Sequence, residues 1–343
     1  MQNLKIKILS FLVGVLVYTT AFALPLEWPK DGVIVEPDMS RDPLIAAFHD
    51  AKKSLKISAY KLTDEPIIAA LEDVAKKGIP VDVLVTRSIF KREGETKSDE
   101  TPLERLKKAG ITVHQSPEFY AQTHHKMILV DDTYALIGTG NMGSGSFDES
   151  KDRKAERDFW ITVTNPAQIA ELKTVFKADF EGKRTNLKRS LLVWSPDQGR
   201  TPFTKLINSA KKSIWVYQQD IEDPEIAGAL AKAAKNGIDV RLMMMPNPFN
   251  KQKDGNIPNQ EMIRQAGGKV GLITHVVGHA KAMLIDVGTP QAKVYLGSAN
   301  FYPPSLDKNR ELGIVISEKP AINTISAVFE ADWHQADFTP REF

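Results

Sequence analysis

The sequence predicts a mixed α/β protein of two pseudo-symmetric lobes, each a mixed β-sheet flanked by helices. Two observations carry this. An internal duplication runs along the chain with a period of about 159 residues, and strand-like and helix-like periodicity alternate inside each copy. The period is too long for a solenoid repeat, so the copies are read as two tandem lobes. They are placed at 24–188 and 189–343 of the 343 residues, behind a leader at 1–23.

The duplication is clearest where AKKSLKISAY…IIAALEDVAKKGIPVDVLV at 51–85 aligns without gaps with AKKSIWVYQQ…IAGALAKAAKNGIDVRLMM at 210–244, with thirteen of 35 positions identical. A second echo, Val175 to Phe180 against Val328 to Trp333, closes each copy. Within a copy the expected order starts with an apolar helix before Ala51 or Ala210. A strand follows at Leu55–Ala59 or Ile214–Tyr217. Helices from Glu65 and Glu225 end at Gly78 and Gly237, where glycine suits a C-cap. The strands Val81–Val85 and Val240–Met244 are almost wholly apolar, as in sheets covered on both faces. Met243, Met244 and Met245 are therefore read as core, and the lysine pairs at helix ends as solvated charges.

Composition removes several function classes. The absence of cysteine excludes disulfides, zinc–thiolate sites and cysteine nucleophiles. Lys5 and Lys7 precede an apolar run from Ile8 to about Tyr18, and Ala21-Phe22-Ala23 supplies small residues for cleavage. This reads as a signal peptide cut near Ala23, giving an exported, periplasmic or secreted protein. Without it the chain carries 43 basic and 43 acidic residues, which excludes a uniformly basic protein that coats nucleic acid.

Polar residues interrupt both copies at matching places. The first has His124, Lys126 and Asp131 followed by Gly138-Thr139-Gly140-Asn141; the second has His279, Lys281 and Asp286 followed by Gly297-Ser298-Ala299-Asn300. Both read HxKxxxxD and then G[ST]xN. The apolar MILV and AMLI make each segment a buried strand, on which residues two apart share a face, so each histidine converges with its lysine. Imidazoles, ammoniums, the amides of Asn141 and Asn300 and the hydroxyls of Thr139 and Ser298 form a donor set suited to phosphate. Asp131 and Asp286 sit at odd offset and are read as structural. The chemistry assigns one histidine as nucleophile on phosphorus and the other as general acid, passing through a phosphohistidine.

The paired motif resembles that of the phospholipase D superfamily, and the resemblance covers nearly the whole chain after residue 23. It implies that the histidines of the two lobes meet at the lobe interface in one active site. It implies also that Asp158 and Glu311, each following an arginine and preceding an apolar strand, hydrogen-bond the imidazoles. By the same resemblance His124 is the nucleophile and His279 the acid, while Lys126, Lys281, Asn141 and Asn300 hold the non-bridging oxygens. No cofactor or metal is expected.

Substrate is less legible than reaction type. The first expectation is a phospholipase D hydrolysing glycerophospholipid at a membrane surface to phosphatidic acid and free headgroup. The alternatives are a metal-independent nuclease, with nucleic acid as partner, and a cardiolipin-synthase-like phosphatidyltransferase. No obligate protein partner is expected. Phe119-Tyr120, Phe147 and Phe301-Tyr302 are candidates to line a cleft, and Arg87–Arg92 and Lys151–Arg157 to form a basic channel. His49, His114, His125, His275 and His334 are expected in packing or surface roles. The charged segment Lys91–Thr101 is expected to be a surface loop.

Overall fold

The computed structural model describes residues 32–87, 100–248 and 252–341. The expected signal peptide and most of the segments 87–92 and 91–101 lie outside the described residues.

The first lobe runs β1 (Val33–Glu36), α1 (Asp42–Asp50), β2 (Leu55–Ala59), α2 (Glu65–Lys76), β3 (Val81–Val85), α3 (Glu100–Lys108), β4 (Thr112–Gln115), β5 (Lys126–Val130), β6 (Tyr134–Gly138), β7 (Glu156–Val163) and α4 (Pro166–Phe180). The second runs β8 (Val193–Ser195), α5 (Thr201–Ser209), β9 (Ser213–Tyr217), α6 (Pro224–Lys235), β10 (Asp239–Met244), α7 (Ile257–Gln265), β11 (Lys269–Leu272), β12 (Val277–Gly278), β13 (Ala282–Ile285), β14 (Lys293–Gly297), α8 (Pro303–Asp307), β15 (Glu311–Ile316) and α9 (Lys319–His334). The sheet orders are β1-β7-β6-β5-β2-β3-β4 and β11-β10-β9-β13-β14-β15-β8, one the reverse listing of the other's topology. In each, three strands are parallel (β2, β3, β4; β9, β10, β11) and the others in these orders pair antiparallel, while β12 joins the first sheet by pairing in parallel with β7.

Local sequence explains the repeat unit. Asp64 and Asp223 cap α2 and α6 by accepting from the N–H of Ile67 and Ile226 at 3.2 and 3.0 Å, each cap worth about 1 kcal/mol. Gly78 and Gly237 follow these helices at φ +76° and +88°, a conformation glycine adopts without steric cost.

Alternation along the motif strands builds three cores. Met127 and Leu129 of β5, with Ala282 and Leu284 of β13, join a central core that includes residues of α4 and α9. Ile128 and Val130 face the outer core under α1 and α2, and Met283 and Ile285 the one under α5 and α6. The lobes thus share one continuous apolar interior, and burying both sheet faces accounts for the apolar strands. Met243 and Met244 are core, as read from the sequence. Among the described residues no helix is long and apolar enough to cross a membrane.

Candidate active site

Each lobe contributes to the other's half of the site. The segment before the first motif pairs with the start of β15: Thr123 bridges Arg310, and the N–H groups of His124 and His125 donate to the Arg310 carbonyl at 2.9 and 3.2 Å. In reverse, β12 pairs with β7, Val277 opposite Glu156 and Gly278 opposite Arg157. These crossings bring each motif histidine to the carboxylate of the other copy.

His124 Nδ1 lies 2.8 Å from Glu311 Oε2. His279 Nδ1 lies 3.0 and 2.8 Å from the two oxygens of Asp158. All four residues are buried. Anchoring Nδ1 fixes the ring and leaves Nε2 as its reactive nitrogen. Asn141 Nδ2 stands 3.4 Å from His279 Nε2, so the first copy's amide is beside the second copy's histidine. Lys126 and Lys281 are fully buried, and each ammonium donates to the carbonyl of its own motif histidine. The structure therefore gathers the histidines, lysines, Asn141, Asp158 and Glu311 at one interface. Asn300 is buried, and its backbone N–H donates to Ser305 Oγ at 3.0 Å.

Thr139 and Ser298, expected among the phosphate donors, stand behind the histidines. Both are fully buried, and their hydroxyls donate to Asp158 Oδ1 at 2.5 Å and Glu311 Oε2 at 2.6 Å. Both hydroxyls are thus committed to the carboxylates that hold the motif histidines. Glu311 also accepts from Ser305 at 2.6 Å and Asn309 at 3.3 Å.

Asp131 and Asp286 stand at the far ends of the motif strands, at φ +53° and +51°. Asp131 accepts the backbone N–H groups of Lys52, Lys53 and Ser54, and Asp286 those of Lys211, Lys212 and Ser213. Each clips its motif strand to the start of the neighbouring strand.

The arginines before the carboxylates do not pair with them. Arg157 binds Asp332 of the other lobe at 2.9 Å and Asp38 of its own at 3.0 Å; Arg310 binds Asp179 at 2.8 Å and Asp197 at 3.0 Å in the same reciprocal pattern. These pairs were not read from the sequence, although Asp179 and Asp332 are matching positions of its closing echo. Tyr60, also missed, stands edge-on to the His124 ring at 4.8 Å.

Other candidates fall outside the site. Phe147 and Phe301 are buried in the outer cores. Phe119 lies under the Arg184 guanidinium. In the stretch 151–157, Arg153 pairs with Glu156, Lys154 donates to the Thr274 carbonyl and Arg157 is buried, so the three are engaged within the protein. His125 is buried edge-on to Trp194, and burial with the nearby Arg310 lowers it to about 3, which keeps it neutral. His114 bonds the Phe180 carbonyl and His275 bonds Asp332.

Burial dominates the site's electrostatics. It lowers Lys126 to about 7, with Lys281 adding repulsion, and Lys281 to about 8 against the pull of Asp158. It lowers both histidines, with Glu311 pushing back at His124 and Lys281 adding to the fall at His279. It raises Asp158 to about 6, against Lys281 and the Thr139 hydroxyl. At Glu311 burial is outweighed by His124, Lys126 and Ser298, and the net shift is down. Glu156, Asp158 and His279 place one potential ligand atom each within 4.8 Å of one another. Within this cluster Asp158 engages His279 Nδ1 at 2.8 Å.

The arrangement can hold a phosphodiester between two imidazoles and two ammoniums, with each imidazole backed by a carboxylate. A family profile described as "Cardiolipin synthase, PLD-like domain" matches residues 44–180 and again 203–333, once per copy. Cardiolipin synthase A of Pseudomonas aeruginosa is 22% identical over 345 residues, covering 90% of this chain and 68% of the relative. Cardiolipin synthase of Halalkalibacterium halodurans is 24% identical over 324 residues, covering 83% and 62%. The chain thus spans about two thirds of the length of these curated relatives. Among solved structures, phosphatidylserine synthase of Haemophilus influenzae Rd KW20 superposes with TM-score 0.65 at 12% identity, covering 90% of this chain and 88% of that one. Polyphosphate kinase of Porphyromonas gingivalis gives TM-score 0.67 at 18% identity, covering 87% and 46%. Those two likenesses are of fold. The repeated profile match, on a fold whose two halves carry the same motif, shows that the chain belongs to the PLD-like domain family of the phospholipase D superfamily.

Proposed function

We propose that this protein is a phosphatidyltransferase that moves a phosphatidyl group from one phospholipid to an alcohol through a phosphohistidine. The observation that carries transfer ahead of hydrolysis is the similarity, over 90% of this chain, to an enzyme named as a synthase. The sequence alone ranks hydrolysis first, since neutral charge favours lipid over nucleic acid and the apparent export signal counts against a cardiolipin-synthase-like enzyme. Water and an alcohol make the same attack on the same intermediate, so the chemistry of the site serves both.

In the first step a neutral histidine attacks phosphorus, an N–P bond forms and the P–O bond to the headgroup breaks. The other histidine gives its Nε2 proton to the leaving oxygen. In the second, that histidine takes the proton of the acceptor hydroxyl, whose oxygen displaces the first imidazole. On this reading His124 is the nucleophile and His279 the acid, as the superfamily resemblance implies. Glu311 and Asp158 orient the two rings, and Lys126 and Lys281, with Asn141 and Asn300, stabilise charge on the non-bridging oxygens. No metal is assigned a role. On this reading the substrate lies in a membrane surface that the protein would meet after the expected export.

The test is to incubate the protein with phosphatidylglycerol vesicles, EDTA and ethanol, with His124→Ala as control, and to identify lipid products by mass spectrometry. Cardiolipin or phosphatidylethanol in excess over phosphatidic acid is expected. Phosphatidic acid alone would make the enzyme a hydrolase. No lipid product, with cleavage of single-stranded DNA, would replace this reading with a nuclease.

A further inference from the structure

The two half-sites differ in what surrounds the carboxylate behind each histidine. Glu311 is saturated with donors: besides meeting His124 it accepts from Ser298 and Ser305 at 2.6 Å and from Asn309 at 3.3 Å. Ser195 stands opposite it in the strand register. Asp158 accepts from Thr139 and meets His279 Nδ1, but acids take the matching places around it. Glu36 stands opposite Asp158 where the second lobe has Ser195, and Glu156 precedes Arg157 where Asn309 precedes Arg310.

The His279 half-site is therefore rich in acceptors and poor in donors. Glu156 is buried; Arg153 holds its Oε1, and Oε2 has no hydrogen-bond partner among the described residues. Glu36 is fully buried and accepts the Trp160 indole N–H on Oε1 at 2.7 Å, and its Oε2 likewise has no partner there. A Cβ on Gly140 would lie 2.6 Å from Glu36 Oε2 and 3.1 Å from Asp158 Cγ, so this oxygen faces the Asp158 carboxyl across the bare glycine. Buried oxygens without donors are costly, and one bound cation relieves several at once. One atom each of Glu156, Asp158 and His279 already lies within 4.8 Å of the others. Ligand atoms on a shared zinc ion stand roughly 3–4 Å apart, a difference that side-chain rotation closes.

We propose that Glu156, Asp158 and His279 form a site for a divalent transition-metal cation, Zn2+ by its donor set, whose occupation switches the enzyme off, with Glu36 as an outer carboxylate. The switching, though not the binding, rests on the transfer reading above. One imidazole and two carboxylates suit zinc. The cation takes the lone pair of Nδ1, the nitrogen that faces Asp158, and the ring keeps its single hydrogen on Nε2. Asn141 Oδ1, which has no partner among the described residues, accepts that hydrogen when the amide turns over. A ring so bound has no lone pair left for a second proton. It cannot become the imidazolium that protonates the leaving oxygen. Lys126 and Lys281 lie within electrostatic reach of these acids and oppose the cation; Glu36, with no ion-pair partner among the described residues, offsets them. The His124 half-site, with Ser195 and Asn309 in place of two acids, lacks the set.

The full chain, stripped with EDTA and dialysed against buffered Zn2+, should retain a single equivalent. X-ray absorption of that sample should show one imidazole and otherwise oxygen ligands. Transfer from dihexanoyl phosphatidylglycerol to ethanol should slow in step with occupancy and recover in EDTA. Glu156→Gln should keep the zinc-free rate and bind at least roughly tenfold more weakly, and its inhibition curve should move by the same factor. Glu36→Gln should weaken binding in the same direction, and it serves if Glu156→Gln does not fold. Zinc held on exposed histidines would persist in both variants. The proposal is overturned if zinc does not bind, if it binds the wild type and both variants equally, or if it binds without slowing turnover. A zinc-free wild type that yields no transfer product ends the transfer reading instead, and dialysis with X-ray absorption still decides the site.

Discussion

Glu311 holds the imidazole of His124 across the lobe interface, its Oε2 2.8 Å from Nδ1 although the two residues stand 187 positions apart. Asp158 does the same for His279 in the opposite direction. A single copy of the repeat therefore pairs neither motif histidine with its carboxylate, and the duplication is what completes both pairs.

Orientation of this kind is tested by removing charge while keeping shape. Glu311→Gln and Asp158→Asn should each lower kcat by roughly two to four orders of magnitude, with KM little changed, because the amide presents the wrong partner to Nδ1. His124→Ala and His279→Ala should each cost roughly three orders or more. Steady-state rates on the phosphatidylglycerol assay, with circular dichroism to confirm folding, decide it; a Glu311→Gln enzyme of near wild-type kcat would remove Glu311 from the mechanism.

The shifted lysines set a pH window. Lys126 and Lys281 lose their charge as pH rises through about 7 and about 8, and with it their hold on phosphate. Asp158 becomes neutral as pH falls through about 6 and then ceases to support a charged His279. For the free enzyme kcat/KM should therefore fall on both sides of this interval. Bound phosphate favours the charged ammoniums, so the alkaline limb of kcat should lie at higher pH than that of kcat/KM. Equal alkaline limbs in the two profiles would show that the lysines do not grip the substrate.

Arg157 and Arg310 tie the lobes together. Their partners Asp332 and Asp179 are almost wholly buried, and removing either acid strips a buried guanidinium of its bidentate partner and leaves it only the more exposed Asp38 or Asp197. Asp179→Ala and Asp332→Ala should each destabilise the protein by about 3–5 kcal/mol in urea unfolding. Activity should fall with them, because the Arg310 carbonyl receives the N–H of His124 and the next residue is Glu311. A fully stable Asp179→Ala would mean that water reaches Arg310.

Much of this was legible beforehand for a simple reason. A duplicated chain shows each constraint twice, so His124 with Lys126 and His279 with Lys281 stood out against apolar strands, and Gly78 and Gly237 marked the same helix end. What could not be read was relation across the interface. Sequence gave no sign that Glu311 serves the first histidine, that Thr139 and Ser298 turn inward to the carboxylates, or that Arg157 reaches Asp332. These depend on how two sheets meet, which periodicity within one lobe does not encode. Glu36 escaped notice because the position is informative only beside Ser195, once the strand register makes the two comparable.

Asp286 offers a test that separates holding the motif from doing its chemistry. It accepts three successive backbone N–H groups, from Lys211, Lys212 and Ser213, at 2.6–3.1 Å, and it sits at φ +51°, a conformation that aspartate and asparagine tolerate better than other residues with a Cβ. Asp286→Ala loses these charge-assisted bonds and adds backbone strain, for about 3 kcal/mol of destabilisation. Asp286→Asn keeps one acceptor oxygen and the tolerated conformation, and should lose about 1 kcal/mol. Asp131→Ala should cost less than Asp286→Ala, because Asp131 is more exposed and water can replace part of what is lost. In all three, kcat per folded molecule should stay within about twofold of wild type, since neither aspartate is hydrogen-bonded to a motif histidine or lysine. Thermal melts and active-site-normalised rates measure the two quantities separately, and a large fall in kcat without a fall in stability would make these aspartates part of the chemistry after all.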